Sequence, residues 1–112
     1  AKVEGASSGD VLVVGWGGTY GAIKSAVIKM QGKGHQVSQL HLRHLNPMPK
    51  NVGDILKSFR QVLVPELNLG QLLKVLRAKY LVPAEGLDKI QGLPFRSVEI
   101  ETKIEELLKG GK

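Results

Sequence analysis

Four glycines, Gly15, Gly17, Gly18 and Gly21, break up the stretch VVGWGGTYGA that runs from Val13 to Ala22. A glycine-rich turn between a buried strand and a helix can hold a phosphate, because backbone N–H groups converge there at the positive end of the helix. Spacing tests that chemistry. A dinucleotide fingerprint needs glycine at its first, third and sixth positions; counted from Gly15, the sixth position is Tyr20, and Gly21 comes one residue late. Such a fold also sets an acid about twenty residues on to bind a ribose hydroxyl. Here that region reads LHLRHL, and no Gly-Lys-Ser or Gly-Lys-Thr occurs anywhere. The simpler reading is a tight turn whose glycines let a helix pack closely on a strand. The alternative is an α/β module that binds a nucleotide or another anion with the turn from Gly17 to Gly21.

Two further groups of residues carry potential chemistry. His41 and His44 are three apart, so on a strand they point to opposite faces and cannot chelate one metal, and Arg43 between them opposes a cation. In PELNLGQ, Glu66 follows an apolar run and Pro65, with Asn68 and Gln71 close behind. Polar groups at that place stand at the mouth of an open α/β sheet. They also suit a structural task, with Asn68 as N-cap and Glu66 favouring the positive end of the helix. There is no cysteine, which removes thiolate catalysis and iron–sulfur ligation within the chain, and no nucleophile elbow can be assembled. We assign no catalytic, cofactor-binding or metal-binding residue.

The elements that position these groups follow from periodicity. DVLVVG, Asp10 to Gly15, is a continuous β-branched apolar run, the pattern of a strand covered on both faces. Ala22, Ile23, Ala26, Val27 and Met30 recur at helical spacing, and the helix stops at Gly32 and Gly34. His35 to Leu45 gives a second strand, ended by NPMPK, and a short helix follows from Val52 to Phe59. Gln61 to Val64 forms a third strand, closed by Pro65. Beyond it, Leu69, Leu72, Leu73 and Leu76 line a helix. A weak fourth strand, Leu87 to Gln91, precedes a last helix around Ile100, Ile104, Leu107 and Leu108. Alternating strands and helices predict a mostly parallel sheet between helices, joined by right-handed crossovers.

The chain has 112 residues, enough for one domain that buries on the order of 65% of its unfolded surface. Residues 1–9 read as a polar lead-in and residues 10–112 as the domain, and we expect a piece of something longer. No apolar run approaches the ~20 residues that span a bilayer, so no membrane is expected, and the lack of cysteine fits an intracellular, cytoplasmic protein. The net charge of +6 raises an acidic partner or nucleic acid. Residues 1–53 hold six Lys/Arg against two acids, and residues 54–112 ten against eight. The bases are scattered singly among only five aromatics, so no nucleic-acid platform is visible.

Four segments together, WGGTYG at Trp16 to Gly21, HLRHLNPMP at His41 to Pro49, VLVPELNLGQL at Val62 to Leu72 and KIQGLPF at Lys89 to Phe95, carry a resemblance. The chain resembles the carboxyl-terminal, transketolase-C-like domain in the alpha subunit of 2-oxoacid:ferredoxin oxidoreductases, most closely their 2-oxoglutarate branch. Gly18 stands where that motif often has serine. The resemblance implies a three-layer α/β/α sandwich on a mixed five-stranded sheet with one antiparallel strand, so one strand beyond the four above is expected in the carboxyl-terminal third. It implies a complex that oxidatively decarboxylates a 2-oxoacid with thiamine diphosphate, passing electrons through iron–sulfur clusters to ferredoxin and the acyl group to coenzyme A. The thiamine pyrimidine would be held by the preceding domain of the alpha subunit, and the diphosphate with its magnesium by the beta subunit. This domain would bind no cofactor and would serve structure and assembly. Trp16, Gly17, Gly18 and Thr19, then His44, Asn46 and Pro47, then Glu66, Asn68, Gly70 and Gln71 follow three parallel strands, so they share one edge. We expect that edge to dock the thiamine-binding domain or a partner subunit.

Overall fold

The computed structural model describes residues 2–43, 49–66, 71–88 and 94–110. In chain order the elements are β1 (Val3–Glu4), β2 (Gly9–Trp16), a 3-10 turn (Gly17–Thr19), α1 (Tyr20–Gly32), β3 (Val37–Leu42), α2 (Val52–Lys57), β4 (Phe59–Glu66), α3 (Gln71–Tyr80), β5 (Glu85–Asp88) and α4 (Ser97–Gly110). The five strands form one sheet in the order β1-β3-β2-β4-β5. β2 pairs in parallel with β3 and β4, β4 pairs in parallel with β5, and β1 runs antiparallel to β3.

From Val11 to Gly15 the run DVLVVG is buried because it is the middle strand, with helices above and below. Val11 and Val13 pack with Ile23, Ala26, Val27 and Met30 of α1 and with Ile100 and Ile104 of α4. Leu12 and Val14 face the other way, into a cluster with Val52 and Leu56 of α2 and Leu72 and Leu76 of α3. The result is a three-layer α/β/α sandwich. Helix α1 ends in a Schellman turn: the His35 N–H donates to the Met30 carbonyl at 3.1 Å and the Gly34 N–H to the Gln31 carbonyl at 3.0 Å. Gly34 takes φ +90°, the left-handed conformation that the motif requires.

Three expectations need correction. The fifth strand is Val3–Glu4, inside the polar lead-in, and not in the carboxyl-terminal third. A two-residue edge strand carries too short a pattern to be read from periodicity. Side chains hold it in place: the Tyr20 hydroxyl donates to the Glu4 carboxylate at 2.9 and 3.0 Å, and the Ser38 hydroxyl donates to the Ala6 carbonyl at 2.7 Å. Pro65 does not close β4, which continues to Glu66. Pairing with β2 has already ended at Leu63, so Pro65 lies beside the edge strand β5 alone. The fourth strand from Asp10 onward is Glu85–Asp88, earlier than Leu87 to Gln91. Its Gly86 looks like a turn residue but serves contact, since a Cβ there would stand 2.7 Å from Leu73 Cδ2. Residues 89–91 of that expected strand lie outside the described residues, as do Leu69 and residues 44–45.

Candidate functional site

β2 and β4 lie side by side and parallel, so their carboxyl ends bring Trp16 and Glu66 to the same edge of the sheet. The two meet: the Trp16 indole Nε1 points at Glu66 Oε1 from 3.5 Å. Glu66 is 2% exposed and has a stronger engagement with α3. Its Oε1 accepts the Leu72 N–H at 2.7 Å and its Oε2 accepts the Leu73 N–H at 3.0 Å. One carboxylate thus satisfies two of the backbone donors that a helix start leaves unpaired and sits at the positive end of its dipole. The expected favourable placement of Glu66 at this helix is what the structure has; Asn68, expected as the cap, lies outside the described residues. Gln71 opens α3 and is exposed. Of the other edge residues named from sequence, His44, Asn46, Pro47 and Gly70 also lie outside the described set.

The glycine turn divides by role. Gly15 is the close-packing residue, because a Cβ there would run into Ile23 Cδ1 and Thr19 Oγ1. Gly17 takes φ +65°, which starts the 3-10 turn. Gly18 and Gly21 have open space where a Cβ would go, and both are exposed, so packing among the described residues does not require glycine at either. Thr19 is buried and its hydroxyl donates to the Trp16 carbonyl at 3.1 Å, which locks the turn and turns the side chain away from the edge surface. What the edge presents is therefore the half-buried Trp16 ring beside a strip of bare backbone from Gly17 to Gly21. The start of α1 has neither a side-chain cap nor an acid in its first turn.

Sequence reasoning missed a second polar cluster one strand away. Tyr20 packs edge-on against His41, with ring centroids 5.1 Å apart at 82°. Lys24 Nζ lies 3.7 Å from Glu4 Oε1, and the Gln39 amide donates to the Tyr20 carbonyl at 3.3 Å. The signal was present as the four-residue spacing of Tyr20 and Lys24, but nothing in the sequence placed Glu4 opposite them. His41 Nδ1 is buried without a hydrogen-bond partner among the described residues. Burial, then the Arg43 charge, hold the imidazole below its ordinary value of 6.5, and Glu4 opposes them more weakly. The native chain therefore binds fewer protons than the unfolded chain between the two values. Stability from the neutral ring is complete above 6.5 and is lost as pH falls through the native value. Thermal melts between pH 7 and pH 5 are expected to show a falling midpoint, and a His41→Asn variant a flatter profile; equal slopes would count against this account.

Among the described residues no group of three or more His, Asp or Glu side chains could hold a metal ion, and no helix is long and apolar enough to cross a membrane.

A family model for pyruvate:ferredoxin oxidoreductase core domain II matches residues 9–101. The 2-oxoglutarate oxidoreductase subunit KorA of Mycobacterium tuberculosis is 44% identical over 101 residues, which cover 90% of this chain and 16% of that protein. The alpha subunit of 2-oxoacid:ferredoxin oxidoreductase 2 from Aeropyrum pernix is 30% identical over all of this chain and 18% of its own length. Among solved structures, the 2-oxoglutarate:ferredoxin oxidoreductase of Magnetococcus marinus, with 2-oxoglutarate, coenzyme A and succinyl-CoA bound, superposes with a TM-score of 0.88 at 30% identity. That match covers 94% of this chain and 19% of the other. A split-gene transketolase in an inactive β4 tetramer shares the fold, with a TM-score of 0.71 at 16% identity over 96% of this chain and 41% of its own. The chain thus spans between 16% and 19% of the length of these three oxidoreductase chains.

Proposed function

The chain belongs to the pyruvate:ferredoxin oxidoreductase core domain II family and is homologous to alpha subunits of 2-oxoacid:ferredoxin oxidoreductases of the 2-oxoglutarate type, and from that premise we propose that it is their docking and assembly domain. The activity is that of the whole complex: oxidative decarboxylation of a 2-oxoacid to an acyl-CoA with electrons leaving to ferredoxin. Thiamine diphosphate with its magnesium, the iron–sulfur clusters and coenzyme A are held elsewhere in that complex, in the cytoplasm. The residues here suit such a division, because there is no cysteine to ligate a cluster. This domain contributes a rigid sheet edge. It docks the thiamine-binding domain of the same subunit or the beta subunit through Trp16, the turn from Gly17 to Gly21, and the residues after β3 and β4.

The observation that carries this reading is the bare backbone at Gly18 and Gly21 next to Trp16 and Glu66. Glycine in the first turn of α1 costs about 0.5–1 kcal/mol relative to alanine. A partner backbone or ring lying flush on the strip would account for keeping it. Gly18→Glu is the discriminating variant, since its Cβ meets nothing within the chain. The isolated variant is expected to melt within ~0.5 kcal/mol of the parent, while co-expression with the remaining alpha-subunit segment and the beta subunit yields at least tenfold less assembled complex. Assembly at parental levels would defeat the docking role. Saturable micromolar binding of nucleotide, coenzyme A or thiamine diphosphate to the isolated chain, lost in Gly18→Glu, would favour the anion-binding alternative instead.

A further inference from the structure

The two helical layers treat their charges differently. Around α1 and α4 four of the five lysines are matched, all but Lys109: Lys24 with Glu4, Lys29 with Glu101 at 3.5 Å, Lys33 with Glu105 at 3.3 Å and Lys103 with Glu106 at 3.7 Å. The opposite layer carries Lys50, Lys57, Lys74, Arg77 and Lys79, all exposed. Among the described side chains no carboxylate lies within ion-pair distance of any of them. Arg77 forks onto a neutral acceptor, the Ala84 carbonyl, at 2.6 and 3.0 Å, and Lys79 stands 5.9 Å from the centre of the Tyr80 ring. Neither contact brings in a negative charge. The only acid on α2 or α3 is Asp54. The two helices form one surface, because the Tyr80 ring packs onto Gly53 so tightly that a Cβ there would stand 2.8 Å from it.

An apolar feature sits in the same face. Leu81 ends α3 in the left-handed conformation, φ +56°, and is 85% exposed. Helices usually place glycine or asparagine at such a point, since a leucine there is strained by its Cβ. Here the strain holds a large apolar side chain out in water, with Val75 of the same helix 39% exposed as well. Among the described residues neither belongs to a core cluster.

We propose that the outer face of α2 and α3 docks an acidic protein surface that has an apolar recess for Leu81. This face is separate from the carboxyl edge of the sheet and its role does not depend on that reading. Unpaired lysines around an apolar knob complement a carboxylate-rimmed pocket, with the rim setting encounter and the knob setting residence. A nucleic acid fits less well, because the layer's one aromatic ring, Tyr80, is turned against Gly53 and cannot stack a base.

The test is an amide-shift titration of this chain with three probes: a random glutamate–tyrosine copolymer, poly-L-glutamate, and a short DNA duplex. The copolymer is expected to shift the amides of α2, α3 and Leu81 and leave α1 and α4 unmoved, with affinity falling as salt rises. K74Q/K79Q should weaken it at least fivefold, while K29Q/K33Q, with the same net charge, leaves it unchanged. L81G should raise the thermal midpoint by about 4 °C yet weaken the copolymer at least threefold and poly-L-glutamate hardly at all. Shifts confined to other faces, no binding, equal effects of the two lysine pairs, tighter binding of the duplex, or parental copolymer affinity in L81G would each overturn the proposal.

Discussion

Replacing Glu66 with alanine is expected to lower the free energy of unfolding by about 3–5 kcal/mol, a large share of what a domain of this size has. The Glu66 carboxylate is the acceptor for the Leu72 and Leu73 amides, both at the start of α3. Each donor left unpaired in a buried setting costs about 1–3 kcal/mol, and loss of the negative group at the helix start adds about 0.3–1 kcal/mol. Glu66→Gln keeps one oxygen and is expected to lose about half as much. Urea unfolding of the three proteins checks this, and a Glu66→Ala loss below 1 kcal/mol would show that water can replace the carboxylate. The result bears on the proposed docking edge too. A Glu66 variant that fails to assemble has first weakened its own fold, so the edge is better probed at Gly18.

Gly15→Ala is expected to cost about 1–3 kcal/mol through overpacking. The added methyl group would meet Ile23 Cδ1 and Thr19 Oγ1. Ile23→Val removes that same Cδ1 and by itself should cost about 0.5–1.5 kcal/mol. Because one variant makes room for the other, the double variant should be more stable than the sum of the two losses by at least ~1 kcal/mol. Additive losses would place the damage at Thr19, whose hydroxyl bond to the Trp16 carbonyl sets the turn.

How much of this was legible in the sequence depended on how far each signal reaches along the chain. The central strand, α1 and α4 were readable because their apolar positions repeat over many residues and tertiary packing agrees with the local pattern. That Trp16 and Glu66 share one edge followed from the parallel alternation of strands and helices, while their contact needed the pairing of β2 with β4, which the sequence did not show. Family resemblance supplied the mixed sheet, but neither it nor periodicity found β1, whose two residues are fixed by Tyr20 and Ser38 from other elements. Pro65 misled because a proline usually stops a ladder, and only the sheet order shows that its neighbour on one side has already ended. The glycines misled in the opposite way. All four looked alike in sequence, yet one answers to a side chain behind it, one to a backbone angle, and two to nothing inside the chain.

The antiparallel direction of β1 settles where the chain's first residues emerge. Val3 is opposite Leu40, two residues before Leu42, which is itself level with Trp16. Any segment joined ahead of Val3 therefore starts about two strand spacings, ~10 Å, to the side of the glycine turn, and within ~7 Å of its level. Such a leash would hold a docking partner at an effective concentration in the millimolar range. An edge contact too weak to detect between separate chains would then be occupied much of the time, so the proposed docking surface could stay small and polar and still close reliably.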